Sequence, residues 1–182
     1  HSYVDLGLSV KWATCNVGAD SPEDYGDYFA WGETAPKSTY SSSNYSYSDN
    51  ATTLPLKNDA ANVNWGGDWR LPTKEEQDEL RTECTWTWTT QNGVRGCKVT
   101  SETNGNSIFL PAAGYINDEE EYDERPYAVG WFGAYWSSTL YEKYPDNAYC
   151  LTIFEDGNYT FDETNQRYLG FSIRPVLDEF CR

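Results

Sequence analysis

Hydrophobic and polar positions change rhythm several times along this chain, and each change predicts an element. Tyr3-Val4-Asp5-Leu6 and Lys11-Trp12-Ala13-Thr14-Cys15 read as short strands, and Asn16-Val17-Gly18-Ala19 turns the chain behind them. Ser21-Pro22-Glu23-Asp24 can start one helical turn, and Tyr28-Phe29-Ala30-Trp31 reads as a strand ended by Gly32. The clearest helix runs from Thr73 to about Cys84. Thr73 is the N-cap, Glu76 stands at the capping-box position, and Pro72 blocks extension upstream. Leu80 and Cys84 share one face, Glu75, Glu76, Asp78 and Glu79 are solvated, and the acidic first turn suits the helix dipole. From Thr85 to Thr90 the alternation of Thr and Trp puts Trp86 and Trp88 on one strand face. Asn92-Gly93 is a hairpin turn, Cys97 to Thr100 returns, and Asn104-Gly105 turns again into Ile108-Phe109-Leu110. The last strands are predicted at Asn147 to Phe154 and Tyr168 to Val176. Many short strands, few helices and long loops make this one α+β domain over residues 1–182, without an internal repeat.

Two stretches lack either periodicity. Residues 38–53, rich in Ser, Tyr, Asn and Thr, form a surface loop or insertion too aromatic for a disordered linker. Asp118 to Glu124 holds six carboxylates in seven residues and reads as a solvated loop, because calcium loops need regular ligand spacing and turn glycines.

Composition then narrows the function. Hydrophobic content is 38%, but eight Trp and fifteen Tyr bury much area per residue, which fills a core despite low hydropathy. Net charge of −16 repels phosphate backbones and anionic bilayers, so nucleic acid is excluded as a partner and direct membrane insertion is not expected. No apolar run approaches membrane-spanning length and no signal peptide occurs. A chain starting His1-Ser2 without Met reads as a trimmed mature domain whose targeting segment lies elsewhere.

Catalytic patterns are weak. Nucleophilic catalysis by Ser or Cys normally needs a base, and the single histidine is His1. Cys15, Cys84, Cys97, Cys150 and Cys181 show no CxxC or zinc spacing, so no metal and no cofactor is expected. Cys84 with Cys97 and Cys150 with Cys181 are candidate bridges, and free buried thiols are the alternative. A carboxylate-pair glycoside hydrolase is the minor catalytic reading, since Asp and Glu are abundant.

Between Tyr135-Trp136-Ser137-Ser138 and Gly170-Phe171-Ser172-Ile173-Arg174-Pro175-Val176 the composition is that of a recognition surface. Tyr offers contact area with two torsions to freeze, and Asn, Ser and Thr adapt their hydrogen bonding. The candidate ligand-binding positions are Tyr141, Glu142, Tyr144, Asp146, Asn147, Tyr149, Thr152, Glu155, Asp156, Tyr159, Asp162, Thr164 and Tyr168. The five tyrosines are the anchors, with Asp and Asn adding directional contacts.

Trp69-Arg70-Leu71-Pro72-Thr73, Trp12 to Ala19, Tyr28-Phe29-Ala30-Trp31-Gly32-Glu33 and Phe109-Leu110-Pro111-Ala112-Ala113-Gly114 together resemble the Fibrobacter succinogenes major paralogous domain, as do the two motifs that flank the Tyr-rich stretch. The resemblance covers nearly the whole chain, in order. It implies a C-type lectin-like fold related to formylglycine-generating enzymes and common in surface proteins of gut Bacteroidales. Trp69, Arg70 and Arg174 then read as structural ties, with a functional cluster as the alternative. The active-site cysteine pair of those enzymes cannot be placed here, and the calcium-dependent sugar triplets of lectins are absent, Pro145-Asp146-Asn147 being a loose echo. The segment at about 131–176 is similar in layout to the hypervariable region of variable proteins of diversity-generating retroelements. Two alternatives stand: a diversified receptor and a family member of fixed specificity. Cys150 inside that segment and the tail Asp178 to Arg182 depart from the pattern.

The expectation is a non-catalytic ligand-binding domain of a secreted or surface-displayed adhesin or receptor, on a pilus tip or lipoprotein. Its ligand would be a protein or glycan on a host or neighbouring cell, and the domain would be a monomeric unit of a larger extracellular protein. A structural module whose Tyr face packs on neighbouring subunits is the alternative.

Overall fold

Strands from both ends of the chain share one sheet. In the computed structural model, which describes residues 1–155 and 163–178, β1 (Tyr3–Val4) pairs antiparallel with β2 (Lys11–Ala13). β2 pairs next with β10 (Val176–Leu177), which also pairs with β3 (Trp69–Arg70). Val176 thus lies opposite both Trp12 and Arg70.

Two short helices flank β3. Asp59 caps α1 (Ala60–Trp65) by accepting from Asn62 N at 3.0 Å, and its other oxygen accepts from Leu71 N at 2.9 Å. One buried carboxylate therefore fixes the helix start to the segment beyond β3. Burial pushes the Asp59 pKa up, and these backbone donors pull it back. The capping box opens α2 (Lys74–Thr82) as expected: Thr73 Oγ1 accepts from Glu76 N, and Glu76 accepts from Thr73 N. The helix ends sooner than its pattern predicts, because Cys84 already opens the next strand.

β4 (Cys84–Gln91), β5 (Val94–Ser101) and β6 (Ser107–Pro111) form an antiparallel sheet in sequence order. Asn92 and Gly93 both take positive φ, 48° and 81°, the geometry a two-residue hairpin turn of this hand requires. Trp86 and Trp88 pack on one side of β4 as the alternation predicts. Cys84 lies opposite Ser101 and Cys97 opposite Trp88, so the two thiols sit four register positions apart. At about 3.4 Å per residue, that separation is too large for a disulfide. The bridge is ruled out: Cys15, Cys84, Cys97 and Cys150 are not joined in a disulfide, and Cys181 lies outside the described residues.

β7 (Phe132–Leu140), β8 (Asn147–Phe154) and β9 (Thr164–Gln166) make the third sheet. β7 and β8 divide the core. Ala134, Trp136, Ala148 and Cys150 enter one apolar cluster with Phe29, Trp31, Phe171 and Ile173, while Tyr135, Leu151 and Ile153 enter another with Trp12, Leu80, Val99 and Leu110. Trp136 Nε1 donates to Phe29 O and Trp31 Nε1 to Ser137 O, each at 2.8 Å. These reciprocal indole bonds hold segment 28–31 against β7, and buried indoles are rarely left without such partners.

Two predicted strands form differently. Tyr28–Trp31 makes a single bridge, Phe29 to Phe171, and the segment Tyr168–Val176 bridges Ile116, Phe29 and Tyr135 in turn. Its partners change every residue or two, so no ladder forms before β10. Arg174 is buried at 1% exposure and donates to Asn16 Oδ1 at 2.8 Å, while Arg70 pairs with Glu76 at 2.7 Å and Asp178 at 3.0 Å. Both arginines are structural ties, and Asp178 gives the start of the C-terminal tail a role. No described helix is long and apolar enough to cross a membrane.

Candidate functional site

The turn joining β7 to β8 gathers three of the predicted anchors. Tyr141 lies 5.8 Å from Tyr144 and 5.3 Å from Tyr149, centroid to centroid. Tyr144 is exposed at 59%, and the Lys74 ammonium sits 5.1 Å above the Tyr149 ring. Glu142 accepts from Thr52 Oγ1 at 3.0 Å, and Asn147 Nδ2 donates weakly to Thr164 Oγ1 at 3.4 Å across the β8–β9 pair.

Other predicted positions fall elsewhere. Thr152 is buried at 1%, on the core face of β8 shared with Ala148 and Cys150 and opposite Ala134, so it is corrected from a binding position to a core position. Cover on both faces decides this, because beyond Tyr149 every residue of β8 from Cys150 to Ile153 is buried whichever side it points to. Glu155 pairs with Arg95. Asp156, Tyr159 and Asp162 lie outside the described residues.

Asp146 and Tyr168 line a groove of about 480 Å³. Its opposite wall comes from the Ser- and Tyr-rich loop: Ser42, Tyr45, Tyr47, Ser48 and Asn50. That loop is not purely a surface insertion, since Tyr40 and Tyr47 are buried and Tyr40 N donates to Asp118 at 2.7 Å. Tyr168 hydrogen-bonds Glu119, and burial together with that carboxylate pushes its phenol up to about 12. Glu119 in turn accepts from Ser42 N at 2.9 Å. The start of the acidic run, Asp118 and Glu119, therefore clasps the loop, while Glu119 to Glu124 are exposed as the solvated reading expects. Among the described residues, no group of acidic, Cys or His side chains is arranged to hold a metal ion.

Arg167 forms the base of the groove. Its guanidinium donates to Tyr45 Oη at 3.1 Å, Asn50 Oδ1 at 2.9 Å, Pro145 O at 2.8 Å, Tyr47 O at 2.9 Å and Asp49 O at 2.9 Å. It also lies 4.8 Å from the Trp31 ring centroid and 5.1 Å from that of Tyr47. Every guanidinium proton has an acceptor, so this buried cation organises the walls and has no donor left for an anionic ligand. The hydroxyl of Tyr47 is buried without a partner, the one polar group of the wall left unmatched in this way. Sequence reasoning missed the loop wall and Arg167. The signal was present, because 38–53 has the same Tyr, Ser and Asn composition as the predicted face.

Gln166 lines both this groove and a second hollow, of about 360 Å³, walled largely by aromatic rings. The two hollows are neighbours along β9 and the turn behind it.

Residues 79–176 match DUF8237, described as a domain of unknown function. The chain belongs to the DUF8237 family. The DUF8237 span begins near the end of α2 and closes with β10, so it contains the Tyr141 cluster, the Arg167 wall and the aromatic hollow. The opposing wall at 42–50 precedes it. Neither the curated proteins nor the solved structures return a match to this DUF8237 chain.

Proposed function

We propose that this DUF8237 chain is a non-catalytic ligand-binding domain, built on a C-type lectin-like arrangement, of a secreted or surface-displayed adhesin or receptor. The observation that carries the reading is the groove itself. Five tyrosine, serine and asparagine side chains of one loop face Asp146, Gln166 and Tyr168 across an arginine whose donors are all committed. Such walls supply aromatic area and adaptable hydrogen bonds on a rigid base, which suits recognition of a glycan or a protein loop. Thiol chemistry fits poorly, because burial pushes Cys84 up to about 11 and Cys150 up to about 12, far from nucleophilic thiolates. The neighbouring Tyr141–Tyr144–Tyr149 cluster extends the same surface.

The test is an array of glycans and host surface proteins probed with the chain and with Asp146→Ala. A hit weakened by that substitution supports the groove, and a hit indifferent to both Asp146→Ala and Tyr168→Ala moves recognition elsewhere. Release of sugar from any array glycan would overturn the non-catalytic reading. A coding copy of the 131–176 segment differing only at adenines, beside a reverse transcriptase gene, would establish diversification. Its absence would mean fixed specificity.

A further inference from the structure

The second hollow has a different chemistry from the groove. Its walls include Tyr115, Tyr127, Trp131, Phe132 and Phe154, and among the described residues its one acidic lining group is Glu163. Successive rings stand nearly perpendicular. Tyr115 and Tyr127 are 5.8 Å apart at 86°, Tyr127 and Trp131 5.8 Å apart at 80°, and Tyr115 and Phe132 5.5 Å apart at 72°. Tyr122 stacks on Tyr127 at 3.8 Å and its hydroxyl meets that of Tyr115 at 3.0 Å, so the two rings are braced from outside the hollow. Trp131 keeps 42% of its surface exposed.

Charge selects the occupant. Aromatic faces are the negative ends of ring quadrupoles, and they hold a cation best where several rings meet at an angle. Glu163 adds a carboxylate whose described side-chain contact is a long one, 3.4 Å from Asn165 Nδ2. No Lys, Arg or His lines the hollow among the described residues. The acidic run lies along the adjoining rim, where Asp118, Glu120, Glu121 and Glu124 border Tyr115 and Tyr127. The one cation there, Arg125, is already paired with Asp118 at 2.8 Å. With a net charge of −16, the surrounding field concentrates cations and repels anions. The volume is at the small end of the range for small-molecule sites, enough for a compact headgroup.

We infer that this hollow is a recognition site for a quaternary or alkylated ammonium group, seated between Tyr115, Tyr127 and Trp131 with Glu163 as its counter-charge. The ammonium could be that of a choline-type headgroup or of a methylated lysine on a protein, and both present the same chemistry to the rings. The inference shares with the proposed function the premise that the domain binds ligands, but it uses a separate site.

The experiment is a titration of the ¹⁵N-labelled chain with tetramethylammonium, followed at the Trp131 indole N–H, which Trp131→Ala identifies. A saturable shift is expected. Followed at the backbone amides of Phe132 and Gln166, which Trp131→Ala retains, the affinity should fall about 2- to 30-fold in that variant, the spread that cation–π contacts cover. It should also fall in Glu163→Gln, which preserves shape and folding, and with rising salt. The uncharged isostere, with carbon in place of the quaternary nitrogen, should bind at least several-fold more weakly. Equal binding of that isostere would make the hollow merely apolar and overturn the inference, as would displacement of tetramethylammonium by a neutral disaccharide. No shift would also overturn it while leaving the groove to be decided by the array. If the cation binds, phosphocholine and trimethyllysine peptides compared side by side separate the two sources.

Discussion

Replacing Arg167 by Lys keeps the charge and removes the geometry. The guanidinium makes five hydrogen bonds, all to atoms of the loop 45–50 or to Pro145, with lengths between 2.8 and 3.1 Å. An ammonium carries three protons on one atom, so at least two of those acceptors lose their donor. An acceptor left buried costs about 1–3 kcal/mol, which puts the loss at roughly 2–6 kcal/mol. Groove water can reach Asn50, which lines the groove, so the lower half of that range, about 2–4 kcal/mol, is expected. For a chain of this size each kcal/mol shifts Tm by about 2–4 °C, giving a drop of roughly 4–16 °C in calorimetry. Hydrogen exchange should localise the damage, with amides of 45–50 opening faster than those of β4 and β5. A Tm within about 2 °C of the parent, with unchanged exchange in the loop, would refute the reasoning: Arg167 would then be a passive occupant of the groove base.

Other outcomes follow from burial and charge. Tyr144→Ala should leave Tm within about 1 °C, whereas Thr152→Asp should lower expression or Tm sharply by placing a charge in the core, and thermal melts of both separate the exposed β7–β8 turn from the interior of β8. Alkylation of the native chain with peptide mapping should label Cys15 well before Cys84, Cys97 and Cys150, and a Cys84–Cys97 disulfide peptide would contradict the hairpin register. The Arg125 guanidinium first, helped by Tyr40 N–H, holds the Asp118 carboxyl below its ordinary value. A depressed folded value means stability present above the unfolded value near about 3.9 and lost as pH falls through the folded one. The Tm gap between the parent and Asp118→Asn should therefore be open at neutral pH and close in acid. A gap constant with pH would remove the ion pair from the account.

Much of the fold was legible because local chemistry decided it. The capping box at Thr73, the Asn92-Gly93 turn and the Thr-Trp alternation each need only neighbouring residues, and each forms as its pattern predicts. The chain failed to announce what distant partners decide. Phe29 and Phe171 are extended yet find single bridges, because their neighbours bond to other segments. α1 hides in Ala60–Trp65, whose cap Asp59 is recognisable only once Leu71 comes close enough to donate to it. Exposure was legible in the turn, where Tyr144 is exposed and Tyr141 half-buried. It was misread at Thr152, since polarity alone does not say which side of a doubly covered strand a residue occupies. The groove could not be read as a unit, because its two walls lie about a hundred residues apart and are joined by distant partners, the Arg167 fork and the Glu119 clasp.

The position of β10 has a consequence for how the chain is made. Its two residues lie between β2 and β3, so Trp12 and Trp69 gain their central strand partner only when the last described segment has left the ribosome. Until then the first strands are an open edge, and an emerging chain stalled or cut before Val176 exposes backbone able to pair with its neighbours. The hairpin of β4 and β5, by contrast, can close as soon as it is synthesised, since its pairing is wholly local. Assembly in the cell should thus run from the middle outwards, with the two ends sealing the domain last.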